Sequence, residues 1–428
     1  MLRGAQRRKD AVNVVIVGQG YVGLPLAQGA ARAGLSVVGL DANPRTVEGL
    51  NAGRSHVDDI SAAELQEMLD AGYRASADPA VLADADVVVI CVPTPLGDDN
   101  VPDLGYVTSA VESIAAHLTP GTLVVLESTT YPGTTEDLVL PLLEGSGLRL
   151  DEGFHLAFSP ERIDPGNERY GLRNTPKVVG GVTPASTEAA RAFYSRIVDT
   201  VVTTRGAREA EMAKLLENTY RHVNIALVNE MARFCHDLEI DLWDVIAAAS
   251  TKPFGFAPFY PGPGVGGHCI PIDPNYLGYH VQRRLGYPFQ FVELAESINN
   301  SMPAYVVDRV QDALNTTSKP LNGSRVLLLG VTYKADIADQ RVSPARPVGE
   351  LLIAKGADVR FHDPRVSVWE LEDRRLDVVE DLDAAVDEAD IVVVLQTHRE
   401  YDLEALADRS ALFFDTRGKT AHPRAVKL

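Results

Sequence analysis

Cysteine is nearly missing from this chain: Cys91, Cys235 and Cys269 are the only three in 428 residues. Three thiols cannot build a disulfide framework, and no CxxC or clustered Cys/His set stands ready to hold a metal, so a structural zinc is not expected. So little cysteine fits the reducing cytoplasm. Long hydrophobic runs are missing too. No stretch approaches the ~18 consecutive apolar residues of a membrane span, and the basic opening residues lead into a strand-like run instead of a signal-peptide core. Positive charge is the scarcer sign, with 40 Lys and Arg against 59 Asp and Glu and a formal charge of -19. That balance argues against a general nucleic-acid surface. Glycines, helix ends and a few cations can still build a local pocket for a small anion.

The chain is too long for one ordinary core, so two or three domains are expected. Val12 to Val17 reads as a buried strand, followed by Gly18-Gln19-Gly20-Tyr21-Val22-Gly23 and an alanine-rich helix through Ala33. In this order Gly18 permits the tight turn, Gly20 leaves room for a pyrophosphate and Gly23 allows close helix packing. The next strand, Ser36 to Leu40, ends at Asp41, where a carboxylate accepts the adenosine ribose hydroxyls and repels a 2'-phosphate, favouring NAD over NADP. Runs from Asp86 to Pro93 and from Gly121 to Ser128 supply further strands. Their tails, Pro93-Thr94-Pro95 and Ser128-Thr129-Thr130, are expected to line a crevice beyond the carboxyl ends of a parallel sheet.

From about Gly206 the pattern turns helical, with one long helix expected from Glu209 to His236. Lys214 and Asn218 lie four residues apart on one of its faces. Strand signals return at Ser324 to Gly330, Val359 to Phe361, Asp390 to Leu395 and Ala411 to Asp415. The expected fold is α/β, two doubly wound Rossmann-like domains joined by a central helical region. The expected boundaries are residues 1–205 for a dinucleotide-binding domain, 206–318 for the helical region and 319–428 for the second Rossmann-like domain. Within the helical region, Pro261-Gly262-Pro263-Gly264-Val265-Gly266-Gly267-His268-Cys269 puts one thiol after a rigid, glycine-lined approach. Small residues let a bulky substrate reach it, which a filler cysteine does not need.

These motifs together, with Ser159-Pro160-Glu161 and Lys334 followed by Arg341, resemble the UDP-glucose/GDP-mannose dehydrogenase superfamily over nearly the whole chain. The resemblance implies oxidation of a sugar-nucleotide primary alcohol to a carboxylate by two hydride transfers to NAD. Cys269 is then the nucleophile that forms a thiohemiacetal and a thioester. Lys214 and Asn218 stabilise developing negative charge on oxygen. Asp273, Glu161 and Thr129 serve acid-base and water-positioning roles. Gly18, Gly20, Tyr21, Val22, Gly23, Asp41, Pro93, Thr94, Ser128, Thr129 and Arg341 would hold the cofactor. Glu161, Arg162, Lys214, Asn218, Tyr260, Gly264, Gly266, Gly267 and Lys334 would hold the UDP-sugar. The stretch from Thr251 to Gly264 and the Ile270-Pro271-Ile272-Asp273 tail resemble the UDP-N-acetylglucosamine 6-dehydrogenase branch. UDP-N-acetylmannosamine and UDP-glucose 6-dehydrogenases are the alternatives, and UDP-glucose chemistry is disfavoured by Ile272 and Pro165 where that branch carries Lys and Glu. A role in polysaccharide biosynthesis and a homodimer or higher homo-oligomer built on the long helix are also implied.

Overall fold

The computed structural model describes residues 12–57, 59–97, 101–164, 167, 169–267, 270 and 272–428. The expectations placed on Cys269 and Pro165 lie outside the described residues. The chain divides into two compact units, one ending at Glu217 and the other beginning at Asn218.

In the first unit one sheet has eight strands in the order β3-β2-β1-β4-β5-β6-β7-β8. They are β1 Asn13–Val17, β2 Ser36–Leu40, β3 Arg74–Ser76, β4 Val87–Ile90, β5 Thr122–Leu126, β6 Phe154–Phe158, β7 Lys177–Gly181 and β8 Val201–Thr203. The central strands are buried on both faces, which is why they read as unbroken apolar runs. Alternation along β1 sends Val14 and Ile16 into one core layer, with Leu24 and Ala27 of the helix Gly23–Arg32, and Val15 and Val17 into the opposite layer.

The sheet departs from the expected parallel arrangement at one place, because β6 and β7 pair antiparallel. A parallel return needs a crossover element, usually a helix. No helix is found among the described residues between Phe158 and Lys177. The next connection does contain one, Pro184–Tyr194, and β7 and β8 are parallel.

The long helix, Ala207–Asp237, spans the boundary between the units. Helices Leu242–Ser250, Asp273–Leu285 and Gln290–Thr316 follow in the second unit. After them comes a five-stranded parallel sheet built from β9 Arg325–Leu329, β10 Asp358–His362, β13 Ile391–Val394, β14 Phe413–Asp415 and β15 Ala425–Lys427 in the order β10-β9-β13-β14-β15. A separate antiparallel pair joins β11 Val368–Glu370 to β12 Arg375–Asp377. Both large sheets reverse their winding order beside their first strand, between β1 and β4 and between β9 and β13. Such switch points part the loops at the carboxyl ends and open a ligand crevice. No helix of the described residues is long and apolar enough to cross a membrane.

Candidate active site

The turn after β1 is shaped by packing. Gly18 has φ +91°, and a Cβ there would fall 2.7 Å from the Cys91 carbonyl oxygen. A Cβ on Gly23 would fall 1.9 Å from the Gly18 carbonyl oxygen. Gly20 differs, since a Cβ there would meet nothing within 4 Å. The turn is thus tight against the sheet and open at the position where a pyrophosphate needs close backbone approach, which fits a dinucleotide. Asp41, at the end of β2, accepts from the Gln19 amide at 2.9 Å and the Asn43 amide at 2.8 Å. Two fixed donors hold this carboxylate beside the turn, and Tyr21 is exposed on it. Ser128 donates its hydroxyl to the Val92 carbonyl at 2.7 Å, tying the loop after β5 to the loop that carries Pro93 and Thr94. Its hydroxyl therefore organises the crevice wall and is already engaged. Cys91 is buried, and burial followed by the nearby Glu127 pushes its thiol well up, which suits packing and not nucleophilic work.

Beyond β6 the turn Glu161-Arg162-Ile163 is held from several sides. One Glu161 carboxylate oxygen accepts from the amides of Arg162 at 2.7 Å and Ile163 at 2.6 Å. The Glu161 carbonyl accepts from Lys214 Nζ at 2.6 Å. Arg162 pairs with Glu217 at 2.7 Å and donates to the Pro176 carbonyl. Lys214 is buried on the long helix, and Asn218 follows one helical turn later. Also on that helix, Glu211 is fully buried and accepts from Gly133 N, Thr135 N and Thr135 Oγ1. Burial pushes its carboxyl up to about 7 against those donors.

In the second unit Asn218 donates to the Asp273 carboxylate at 2.5 Å, both side chains being buried. The glycine loop is fixed by Asn229, whose carbonyl accepts from the Gly262 amide at 3.0 Å and whose amide donates to Asn299 at 2.9 Å. Gly266 and Gly267 pack onto Tyr333, where a Cβ on either would fall 2.8 Å from the Tyr333 side chain. This contact places the loop beside Lys334. The bonds that hold the Lys334 turn include Thr332 Oγ1 to the Lys334 carbonyl, Gln396 to the Tyr333 carbonyl, Tyr333 N to the Asp339 carbonyl and Asp336 N to His398 Nδ1. Gly264 lies against Pro344. Tyr260 is half exposed, stacked on Trp243 and overlain by Lys419. Arg341 is clamped by its own turn, with Nε and Nη2 donating to Asp339 at 2.9 and 2.7 Å. Asp336, His398 and Glu400 bring three possible metal-ligand atoms together. His398 uses one nitrogen on the Asp336 amide and turns the other to Asp363, so the cluster is a hydrogen-bonded brace.

Two side chains with the properties of site residues were given no individual role from the sequence, although Thr130 belongs to the tail expected to line the crevice. Thr130, next to the expected Thr129, is 1% exposed, and its hydroxyl has no hydrogen-bond partner among the described residues. A buried unpaired hydroxyl is the group to expect where a water or substrate oxygen binds. Arg417 follows β14, donates Nε to the Leu395 carbonyl at 2.7 Å and brings Nη1 to 2.9 Å from where a Gly262 Cβ would stand. Burial lowers its pKa to about 10 despite Asp415 nearby. Its position at the carboxyl end of a parallel strand is the one sequence signal that could have found it.

Residues 12–198 match the NAD binding domain of the UDP-glucose/GDP-mannose dehydrogenase family, residues 208–301 its central domain and residues 327–422 its UDP binding domain. A UDP-N-acetyl-D-mannosamine dehydrogenase of Methanococcus maripaludis is 32% identical over 429 residues, covering 96% of this chain and 94% of the relative. A UDP-N-acetyl-D-glucosamine 6-dehydrogenase of Pseudomonas aeruginosa is 38% identical over 359 residues, covering 83% of each. The solved UDP-D-ManNAc dehydrogenase of Pyrococcus horikoshii superposes with a TM-score of 0.88 at 32% identity, covering 97% of this chain and 99% of that one.

Proposed function

We propose, from the premise that this chain belongs to the UDP-glucose/GDP-mannose dehydrogenase family, that it oxidises the C6 alcohol of UDP-N-acetylmannosamine to the carboxylate. That the protein is an NAD-dependent nucleotide-sugar dehydrogenase follows from the family itself. The sugar is the proposed part. What supports mannosamine is the near-complete likeness to mannosamine dehydrogenases, over 96% and 97% of this chain for the relative and the solved structure. This moves the reading away from the glucosamine branch that the Thr251 to Gly264 stretch resembles. UDP-N-acetylglucosamine remains the second reading, favoured by that stretch and by the Pseudomonas aeruginosa relative. Initial rates of the purified protein with NAD and UDP-N-acetylmannosamine, UDP-N-acetylglucosamine or UDP-glucose test the choice. A higher kcat/KM for either of the other two sugars overturns the mannosamine reading.

Bound NAD supplies the hydride acceptor for both oxidations. Gly18, Gly20 and Gly23 would admit its pyrophosphate and Asp41 would accept from its ribose. In the first oxidation a base takes the alcohol proton and the carbon becomes an aldehyde. The Cys269 thiolate then adds to that carbon, forming a C–S bond, and the oxygen takes a proton to give a thiohemiacetal. A second hydride leaves while a base takes the hydroxyl proton, to give the thioester. Water breaks the C–S bond and returns the thiol, so one water is consumed and two hydrides depart. Lys214 and Asn218 would steady the oxygen as it gains charge. Asp273, hydrogen-bonded to Asn218, would move protons at that oxygen, and Glu161 with the Thr129-Thr130 pair would orient the water. Lys334 and Arg417 would neutralise the diphosphate, and Tyr260 would face the nucleotide.

A further inference from the structure

We infer that Lys177 is a positioning residue for the oxidation, setting the Glu161 turn and through it the Lys214 ammonium. The inference rests on the reading of Glu161 and Lys214 as reaction-centre groups. Lys177 opens β7, and its side chain is 4% exposed. Its Nζ lies 2.9 Å from Glu127 Oε2, a fully buried carboxyl at the end of β5, and 3.5 Å from Glu161 Oε2. The Tyr194 hydroxyl donates to the other Glu127 oxygen. Burial alone would lower the Lys177 pKa, but Glu127 and Glu161 overcome it and hold it raised, so the ammonium is the charged centre of the cluster.

One buried cation shared by two carboxyls is more than a closed structural pair requires. A buried ion pair is weak evidence for stability, because desolvation offsets much of its attraction. Here the second carboxyl belongs to a turn that is otherwise held by its own amides, by groups of the long helix and by the bond from Arg162 to the Pro176 carbonyl. Glu161 directs one oxygen to those amides and the other to Lys177, which leaves its side chain a single orientation. The carbonyl of the same residue receives Lys214 Nζ. Rotation of the Glu161 turn would therefore displace the acceptor that anchors Lys214. Lys177 acts through these two residues, and charge-assisted hydrogen bonds give such a brace its stiffness. Misplacement of a catalytic group by about 1 Å costs on the order of a hundredfold in rate.

The test compares Lys177→Met, Lys177→Arg, Lys177→Met/Glu127→Gln and Glu161→Gln, each assayed with whichever nucleotide sugar the wild-type enzyme oxidises fastest, so that the result does not depend on the sugar assigned above. Lys177→Met alone strands the buried Glu127 carboxyl and the partly buried Glu161 carboxyl and can fail to fold. The double variant removes the unmatched structural charge while leaving Glu161 without its cation. The expected result is a double variant that melts near the wild-type temperature, keeps the KM for NAD and turns over at least tenfold more slowly. Lys177→Arg should recover part of that loss. Wild-type kcat in the double variant beside a slow Glu161→Gln enzyme would overturn this inference alone. Wild-type turnover in Glu161→Gln would overturn the placement of Glu161 in the reaction and this inference with it.

Discussion

Asn218 donates to Asp273 across 55 residues of sequence, at 2.5 Å and in a buried setting. A bond to a carboxylate in such a place contributes ~1.5–3 kcal/mol, and a buried acceptor left unmatched loses about as much. Asn218→Ala should therefore lower both the unfolding midpoint in urea and kcat, the latter by about tenfold or more. Asp273→Asn, which retains the shape, should lower kcat with a smaller loss of stability. Unchanged turnover in Asp273→Asn would remove Asp273 from the reaction.

Cys269→Ser should abolish carboxylate formation and leave NAD binding in place, because a hydroxyl is a far poorer nucleophile than a thiolate at neutral pH. Cys91→Ala should instead cost stability with kcat nearly intact, as expected of a buried thiol packed under the glycine turn. Product analysis by mass, alongside NAD titration, separates the two. Wild-type amounts of sugar acid from Cys269→Ser would end the thioester route.

Two buried groups should give the folded protein opposite pH dependences. His222 is buried against Asn299, and burial lowers its pKa from 6.5 to about 4. The unfolded chain then binds the extra proton, so stability contributed by neutral His222 is present above 6.5 and is lost as pH falls from 6.5 toward 4. Glu211 is raised from 4.5 to about 7, so the folded state holds the proton and stability is lost as pH rises through that range. Because the windows overlap, the whole protein can show a shallow profile. Denaturant unfolding of His222→Gln and Glu211→Gln against wild type from pH 4 to 8 separates them. The wild type should lose ground to the first variant at low pH and to the second at high pH.

Leu216, Leu227 and Phe234 on the long helix are 61%, 53% and 46% exposed in the single chain, and Tyr220 between them is 49% exposed. Their spacing puts them on one helical face. A row of large exposed apolar side chains marks an association surface. The expected state is at least a dimer by light scattering at micromolar concentration. Leu227→Glu/Phe234→Glu should shift it to monomer, and an active monomeric wild type would remove the claim.

Much of this site is legible along the chain because its parts are local. Gly18 and Gly23 reveal themselves by standing between an apolar strand and an alanine-rich helix, and Asp41 by closing the next strand. Lys214 and Asn218 share a face by helical spacing alone. Thr129 and Thr130 show where this stops, since neighbours after a strand point to different sides and only the backbone path decides which hydroxyl is buried unpaired.

What the amino-acid order determined by itself was the sequence of elements, two glycine-terminated strand systems around a helical middle, because burial periodicity and turn chemistry act over a few residues. Only the tertiary structure decided that β7 runs against β6, that Lys177 stands between Glu127 and Glu161, and that Arg417 after β14 reaches the Gly262 loop. These contacts join residues up to 155 positions apart, from Gly262 to Arg417. Their partners are set by which strands pair and which faces pack, energies that no short window of sequence contains.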